Sequence, residues 1–209
     1  MFAGLHIRAN DRYQSTLVLI NEDLKATTIH TFNTDQEFHN LIKQISPSII
    51  AIGSPTSLPL GLCCLEIDCN CNYTIEGHKG RISEIQMASM SISCFYTTRG
   101  SISKNLIYRS INISDELHSE GYHVIETYPH ATKSILFGEY PTPTKQLMSP
   151  NTDSTSIYPF LTKKGDFSKW DKNTYNAALS AYTAGLYNAE LTDSLGTKEE
   201  GFVVVPALR

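Results

Sequence analysis

IIAIGSPTSLPLG, Ile49 to Gly61, decides the fold. Its first four residues are apolar without alternation, and with Ser48 they fit a strand covered on both faces, as parallel strands inside a sheet are. Gly53 ends the run, and Ser54-Pro55-Thr56-Ser57-Leu58-Pro59 reads as a proline-stiffened turn at the strand's C-terminal end. Upstream, Met1 to Ile7 is short and apolar, while Thr16 to Ile20 and Ala26 to Phe32 are β-rich runs separated by the polar Asn21-Glu22-Asp23. These three runs predict an antiparallel meander. A helical pattern then starts at Asp35 and runs through Phe38, Leu41, Ile42 and Ile45, with Thr34 as N-cap and Glu37 completing a capping box. The order strand, strand, strand, helix, strand makes the helix a crossover, so the fourth strand should lie parallel to the first.

Downstream, regular periodicity is lost from Gly53 to Gly80. Helices are expected over Arg81 to Met90 and near Ser114 to Glu120, a fifth strand over Tyr122 to Glu126, and a short helix over Ala131 to Phe137. Glu139 to Lys169 is rich in Pro, Ser and Thr and reads as a surface excursion. The longest helix is expected over Asn173 to Leu191. Its Ala177, Ala178, Ala181 and Ala184 recur at helical spacing, a small-residue stripe that lets a helix approach a sheet closely. Gly201 leads into Phe202-Val203-Val204-Val205-Pro206, a terminal strand or extended tail. The expected organisation is one domain over residues 1–209, with an insertion at about 54–120 after the fourth strand.

The chain has 209 residues, 41% hydrophobic and 18% charged, the balance of a globular protein with a continuous core. Seventeen Lys and Arg face 21 Asp and Glu, so a net charge of −4 supplies no general attraction for phosphate backbones and leaves only a local basic groove for them. No stretch reaches the ~18 apolar residues of a membrane span. The N-terminus lacks the apolar core of a secretory signal. The expected compartment is the cytoplasm, where thiols are reduced.

YHVIETYPHATKSILFG (Tyr122 to Gly138) carries an apolar strand into Glu126 and then into a turn and helix. With Ile49 to Gly61 and NAALSAYTAGLYNAELTDSLGTKEEGFVVVP (Asn176 to Pro206), it resembles a family of uncharacterised proteins predicted to be RNase H-like nucleases, domain-of-unknown-function family 429. The resemblance implies an α/β fold of RNase H-like type: a mixed five-stranded sheet flanked by helices, with a cysteine-rich and helical insertion. It also implies a metal-binding carboxylate cluster built from an early strand Asp, an Asp after the third or fourth strand, this Glu, and an Asp on a late helix. At the matching positions stand His6, Gly53, Glu126, and Asn173 or Asn176.

Two-metal phosphodiester hydrolysis needs two cations about 4 Å apart, held by several hard oxygen ligands. Of the four matching positions only Glu126 offers an anion. A neutral imidazole at His6 suits Mn²⁺ or Zn²⁺ better than Mg²⁺, Gly53 has no side chain, and an Asn gives a neutral carbonyl. The expectation is a degenerate site with weak affinity for Mg²⁺ or Mn²⁺, on a protein that keeps a nucleic-acid or nucleotide cleft with little or no hydrolysis. An active metal-dependent nuclease using Glu126, His6, His130 and a relocated acid (Asp11, Asp171, Glu66 or Asp68) is the first alternative. A protein-interaction module working through the cysteine-rich insertion is the second. Read without the resemblance, Glu126 is a strand-end carboxylate that caps the next helix or pairs with a lysine.

Cys63, Cys64, Cys69 and Cys71 fall within CCLEIDCNC, with His78 nearby. Such a cluster can hold one Zn²⁺ and staple a segment with little core of its own. Adjacent cysteines on an extended backbone would point to opposite faces, so at most three are expected to meet one ion, with His78 or Glu66 as a further ligand. Buried apolar thiols or an oxidised pair are the other readings. Tyr128-Pro129-His130 puts a histidine just past Glu126, either a general acid or base or a helix cap. Arg81, Arg99, Lys104 and Arg109 form the densest basic stretch, interleaved with Phe95, Tyr96 and Tyr108, which could stack bases. Arg81 opens a helix, where a cation opposes the dipole unless an anion is near.

Overall fold

A computed structural model describes residues 1–69, 80–137 and 170–207. β1 (Phe2–His6), β2 (Ser15–Ile20) and β3 (Ala26–Phe32) form the expected antiparallel meander. α1 (Asp35–Ile45) follows, and its N-terminus carries the full capping box. Thr34 Oγ1 accepts the Glu37 amide at 3.2 Å, and the Glu37 carboxylate accepts the Thr34 amide in return at 3.3 Å. β4 (Ile49–Ile52) then lies parallel to β1, pairing Phe2 with Ile49 and Leu5 with Ile52. All four of its residues are buried, as the unbroken apolar run requires.

α2 (Ile82–Ser89) and α3 (Lys104–Ser119) lie between β4 and β5 (Val124–Thr127) in the chain, and α4 (Pro129–Phe137), α5 (Lys172–Asn188), β6 (Thr192–Thr197) and β7 (Gly201–Pro206) follow. The sheet has seven strands in the order β3-β2-β1-β4-β5-β7-β6, not five. β4 lies parallel to β1, as the crossover through α1 requires, and β5 lies parallel to β4 on its far side. β7 extends it parallel to β5, and β6 closes the edge antiparallel to β7. β6 escapes a sequence reading because Asp193, Ser194 and Gly196 break any β-rich alternation, which an edge strand tolerates. α3 begins ten residues before the helix expected near Ser114. Its buried stripe includes Ser110 and Ser114 among Ile107, Ile113 and Leu117, so the apolar period is masked. The expected excursion over Glu139 to Lys169 lies outside the described residues.

Alternation divides the sheet into two packed faces. Leu5, Leu17, Leu19, Ile50 and Ile52 join Phe38, Ile42, Ile113 and Leu117 of α1 and α3 on one side. On the other, Phe2, Val18, Ile49, Ala51 and Ile125 meet Ala177, Ala178, Ala181 and Ala184 of α5. The alanine stripe does bring that helix close. A Cβ on Gly4 would collide with the Ala177 carbonyl and the Ala181 amide, so β1 admits α5 only because position 4 has no side chain.

Candidate functional site

The residues that stand where the resemblance places metal ligands do not share one face. β1 sends Phe2, Gly4 and His6 toward α5. Gly53, just beyond β4, also faces it, since a Cβ there would sit 2.8 Å from Ser180 Oγ and 3.0 Å from Pro129 Cγ. On β5 the residue on this side is Thr127, whose hydroxyl donates to the Ile52 carbonyl at 3.3 Å and to Ser180 Oγ at 3.1 Å. Glu126 is registered against Ile52, which lies in the core of the opposite face. The expected convergence of Glu126 with Asn173 and Asn176 on α5 therefore fails by one residue of strand alternation.

The α5 side is uncharged at its centre. His6 is hydrogen-bonded to Asn173, and Asn176 is half-buried about one turn further along the helix. Burial pushes the His6 pKa down to about 4, assisted by Arg8 and Lys172 and opposed by Asp171 and the Asn173 bond. The imidazole is accordingly neutral at physiological pH. Asp171 itself caps α5, its carboxylate accepting the Thr174 amide at 2.8 Å. Thr132 and Thr183 complete a row of buried hydroxyls at 2.7 Å from one another. Cations flank this edge: Arg8 lies over the Tyr13 ring at 5.2 Å, with Tyr13 exposed.

On the opposite side Glu126 is in a closed ion pair. Its two carboxylate oxygens accept from the two terminal guanidinium nitrogens of Arg81 at 2.7 and 2.9 Å, a fork-on-fork geometry. Oε2 also accepts the Thr56 amide and hydroxyl, each at 2.8 Å. Arg81 is wholly buried and Glu126 nearly so. Burial alone would lower the Arg81 pKa, but the Glu126 carboxylate, helped by Glu84 and Glu200, more than offsets it and holds the guanidinium above its ordinary value. Arg81 is the N-cap of α2, so the anion that a cation at this end requires is supplied by three glutamates. Glu84 accepts the Arg81 amide at 2.9 Å, the Thr97 amide at 2.8 Å and the Thr97 hydroxyl at 2.5 Å, and desolvation still raises its pKa. Glu200 accepts the amides of Leu60 and Ile82, both at 2.7 Å, and its carbonyl accepts the Ser57 hydroxyl. A cavity of about 130 Å³ adjoins the pair, lined chiefly by apolar surface from Met87, Tyr96, Leu106, Ile107, Tyr128 and Val203.

Tested against paired divalent cations, these residues do not fit. The α5 face offers no carboxylate from β1, β4 or β5. Both oxygens of the one strand-borne glutamate are taken by a guanidinium, which cannot be deprotonated in a protein.

His130 stands half-buried with its ring edge-on to Tyr128, centroids 6.0 Å apart, and its pKa is lowered by burial and then by Lys133. The basic stretch is largely neutralised. Arg81 pairs with Glu126, Lys104 with Glu66 at 2.6 Å, and Arg109 with Asp35 at 2.7 Å. Arg109 also donates to the carbonyls of Arg8 and Asn33, fastening the loops after β1 and β3. Tyr108 is occupied by the Leu65 amide and Glu66, whereas Phe95 is 88% exposed. Cys63, Cys64 and Cys69 come together, against the expectation that neighbours 63 and 64 point apart, while Cys71 and His78 lie outside the described residues.

Sequence reasoning missed the site's central residue. Arg81 reads in the sequence as part of a basic stretch and as a cation at the wrong end of a helix, and the second of these is the available signal for a buried anion nearby. Glu84 and Glu200 carry no sequence signal of their own and are the other omissions.

No family model matches the chain, and no curated protein matches it. Among solved structures, that of Thermus thermophilus RuvC aligns over 90% of this chain and 95% of its own, at 10% identity and a TM-score of 0.47. T. thermophilus RuvC in complex with a Holliday junction substrate aligns over 90% and 94%, at 12% identity and a TM-score of 0.48. The strand order and register given above stand independently of that likeness: the chain is a mixed α/β protein built on a seven-stranded sheet flanked by helices. None of its helices among the described residues is long and apolar enough to cross a membrane.

Proposed function

We propose that this is a nucleic-acid- or nucleotide-binding protein of RNase H-like architecture that does not hydrolyse phosphodiesters, a degenerate relative of the nucleases it resembles. The observation that carries the reading is the pairing of Glu126 with Arg81. The only acid on a strand at the expected ligand positions is neutralised internally and faces away from His6 and Asn173. At the C-terminal ends of β1, β4 and β5 the α5 side presents neutral donors and acceptors instead. Arg8 and Lys172 bracket His6 there, and the exposed Tyr13 is stacked by Arg8. Cations beside an exposed aromatic suit a phosphate-bearing strand whose bases stack, and they need no metal ion.

The test combines binding and cleavage on single-stranded DNA, duplex DNA, RNA and an RNA–DNA hybrid. Salt-dependent binding that persists in chelator and weakens in Arg8→Ala and Lys172→Ala is the expected result. Mn²⁺- or Mg²⁺-dependent cleavage, abolished by Glu126→Gln in a protein that stays folded, would overturn the reading. A second reading, a protein-interaction module, draws support from the exposed Leu60, Ile67, Phe95 and Ile102, all located between β4 and β5. Its signature is a partner whose binding is lost in Ile67→Ser and Phe95→Ser while nucleic-acid affinity is unchanged.

A further inference from the structure

Three thiols meet on the loop that leaves β4. The Sγ atoms of Cys63, Cys64 and Cys69 lie within 4.8 Å of one another, and Cys63 Sγ is 3.3 Å from Cys69 Sγ. The extended geometry that would separate neighbouring cysteines does not apply, because the backbone bends at Cys63 and turns again at residues 67–68. The Cys69 amide closes that second turn on the Glu66 carbonyl at 3.4 Å.

This loop is anchored on both sides of the cysteine pair. Leu62 and Leu65 are buried against Ile107 of α3. The Leu65 amide donates to the Tyr108 hydroxyl at 2.6 Å, and the Leu65 carbonyl accepts the Gly100 amide at 2.9 Å. Glu66 binds Lys104 at 2.6 Å, holding an ammonium close enough to Cys64 for their charges to interact. The loop that carries the thiols is thus docked on α3 by packing, hydrogen bonds and an ion pair of its other residues.

We propose that Cys63, Cys64 and Cys69 form a three-thiolate zinc site, with water in the fourth position, that braces the loop after β4 where it docks on α3. A tetrahedral ion with Zn–S bonds of about 2.3 Å sets its ligand sulfurs about 3.8 Å apart, a spacing these three atoms reach with small side-chain adjustments. A disulfide would need about 2.05 Å between two sulfurs and would use only two of the three. Soft thiolates select zinc over the hard cations considered for the sheet edge. Three thiolates and one Zn²⁺ carry a net charge of −1, which the Lys104 ammonium faces. Binding converts three thiols to thiolates, so three protons leave as the ion enters, and affinity should fall as pH drops. The site shares no residue with the His6 and Glu126 groups and does not rest on the nucleic-acid reading.

The probe is Co²⁺ followed by Zn²⁺, added to reduced, chelator-stripped full-length protein. The expected result is about one Co²⁺ per chain with a sulfur-to-cobalt charge-transfer band and the visible spectrum of a tetrahedral centre, displaced by an equal amount of Zn²⁺. Cys64→Ser and Cys69→Ser should each lose the band while far-ultraviolet circular dichroism stays that of the parent. Wild-type protein without a charge-transfer band overturns the proposal, whatever the variants do. A band that survives Cys69→Ser overturns it as well. Oxidation of Cys63 and Cys69 to a disulfide in air with metal present would assign the pair to redox chemistry instead.

Discussion

The two faces of the sheet at the C-terminal ends of β1, β4 and β5 hold opposite solutions to the same local problem. Toward α5, the chain fills the strand ends with His6, Gly53, Thr127 and Ser180, groups that need only hydrogen bonds. Toward α2 it buries Glu126, Glu84 and Glu200 around one guanidinium and satisfies their oxygens with backbone amides and hydroxyls. One face has no strand-borne carboxylate, and its nearest acid, Asp171, caps α5. The other has charge in abundance, all of it committed. A carboxylate buried near a strand end is therefore no indication of metal binding until its partners are known, because a guanidinium paired to both oxygens puts a fixed positive charge where the metal ion would sit.

The sharpest way to break this contrast is to remove one half of the pair. Glu126→Gln should destabilise the fold by about 3–5 kcal/mol, since Arg81 would be left buried with an incomplete partner. Arg81→Met should do the same by stranding Glu126. The double change to apolar residues should recover much of the loss, and denaturant unfolding checks all three. If Glu126→Gln unfolds at the wild-type midpoint, the pair is not structural.

The next effect in size is on the other face and is driven by pH. His6 has its pKa lowered in the folded state, so the unfolded chain takes up a proton first as pH falls. Stability from this group is intact above pH 6.5 and is lost between 6.5 and about 4. The loss should reach about 3 kcal/mol, and His6→Asn should flatten that part of the stability–pH curve. An imidazole resonance titrating near 6.5 in the native protein would contradict the buried, cation-flanked setting.

Gly53→Ala comes third. Its Cβ would press on Ser180 Oγ and Pro129 Cγ, costing about 1–3 kcal/mol by thermal or urea unfolding, and Gly53→Asp should cost more without creating a metal site. A tolerated aspartate that confers Mn²⁺ binding would mean that this face is one substitution from a ligand cluster. Smallest is Thr127→Val, which removes one hydroxyl from a neutral pair and should cost about 1 kcal/mol with no change in pH dependence.

Much of the fold was legible because its signals are local. The capping box at Thr34 and Glu37, the apolar run at Ile49 to Ile52 and the alanine stripe each specify a conformation over a few residues, and each formed where expected. β6 was not legible, since an edge strand containing Asp193, Ser194 and Gly196 is stabilised by its partner Gly201–Pro206 rather than by its own propensity. The first half of α3 was hidden by serines in its buried stripe. At the site, the scarcity of acids could be read directly from His6, Gly53, Asn173 and Asn176. The neutralisation of Glu126 could not, because Arg81 lies 45 residues away in the chain.

By itself the sequence determined the order of elements from β1 to β4, the parallel placement of β4 beside β1, and the lack of a carboxylate at His6, Gly53, Asn173 and Asn176. Only the tertiary structure decided which side Glu126 faces and what meets it there. Alternation along a strand sends neighbours to opposite faces, so the register of β5 against β4 separates Glu126 from Thr127, and the path from β4 through α2 brings Arg81 to the acid. The same path, bending at Cys63, gathers three sulfurs that an extended chain would have kept apart.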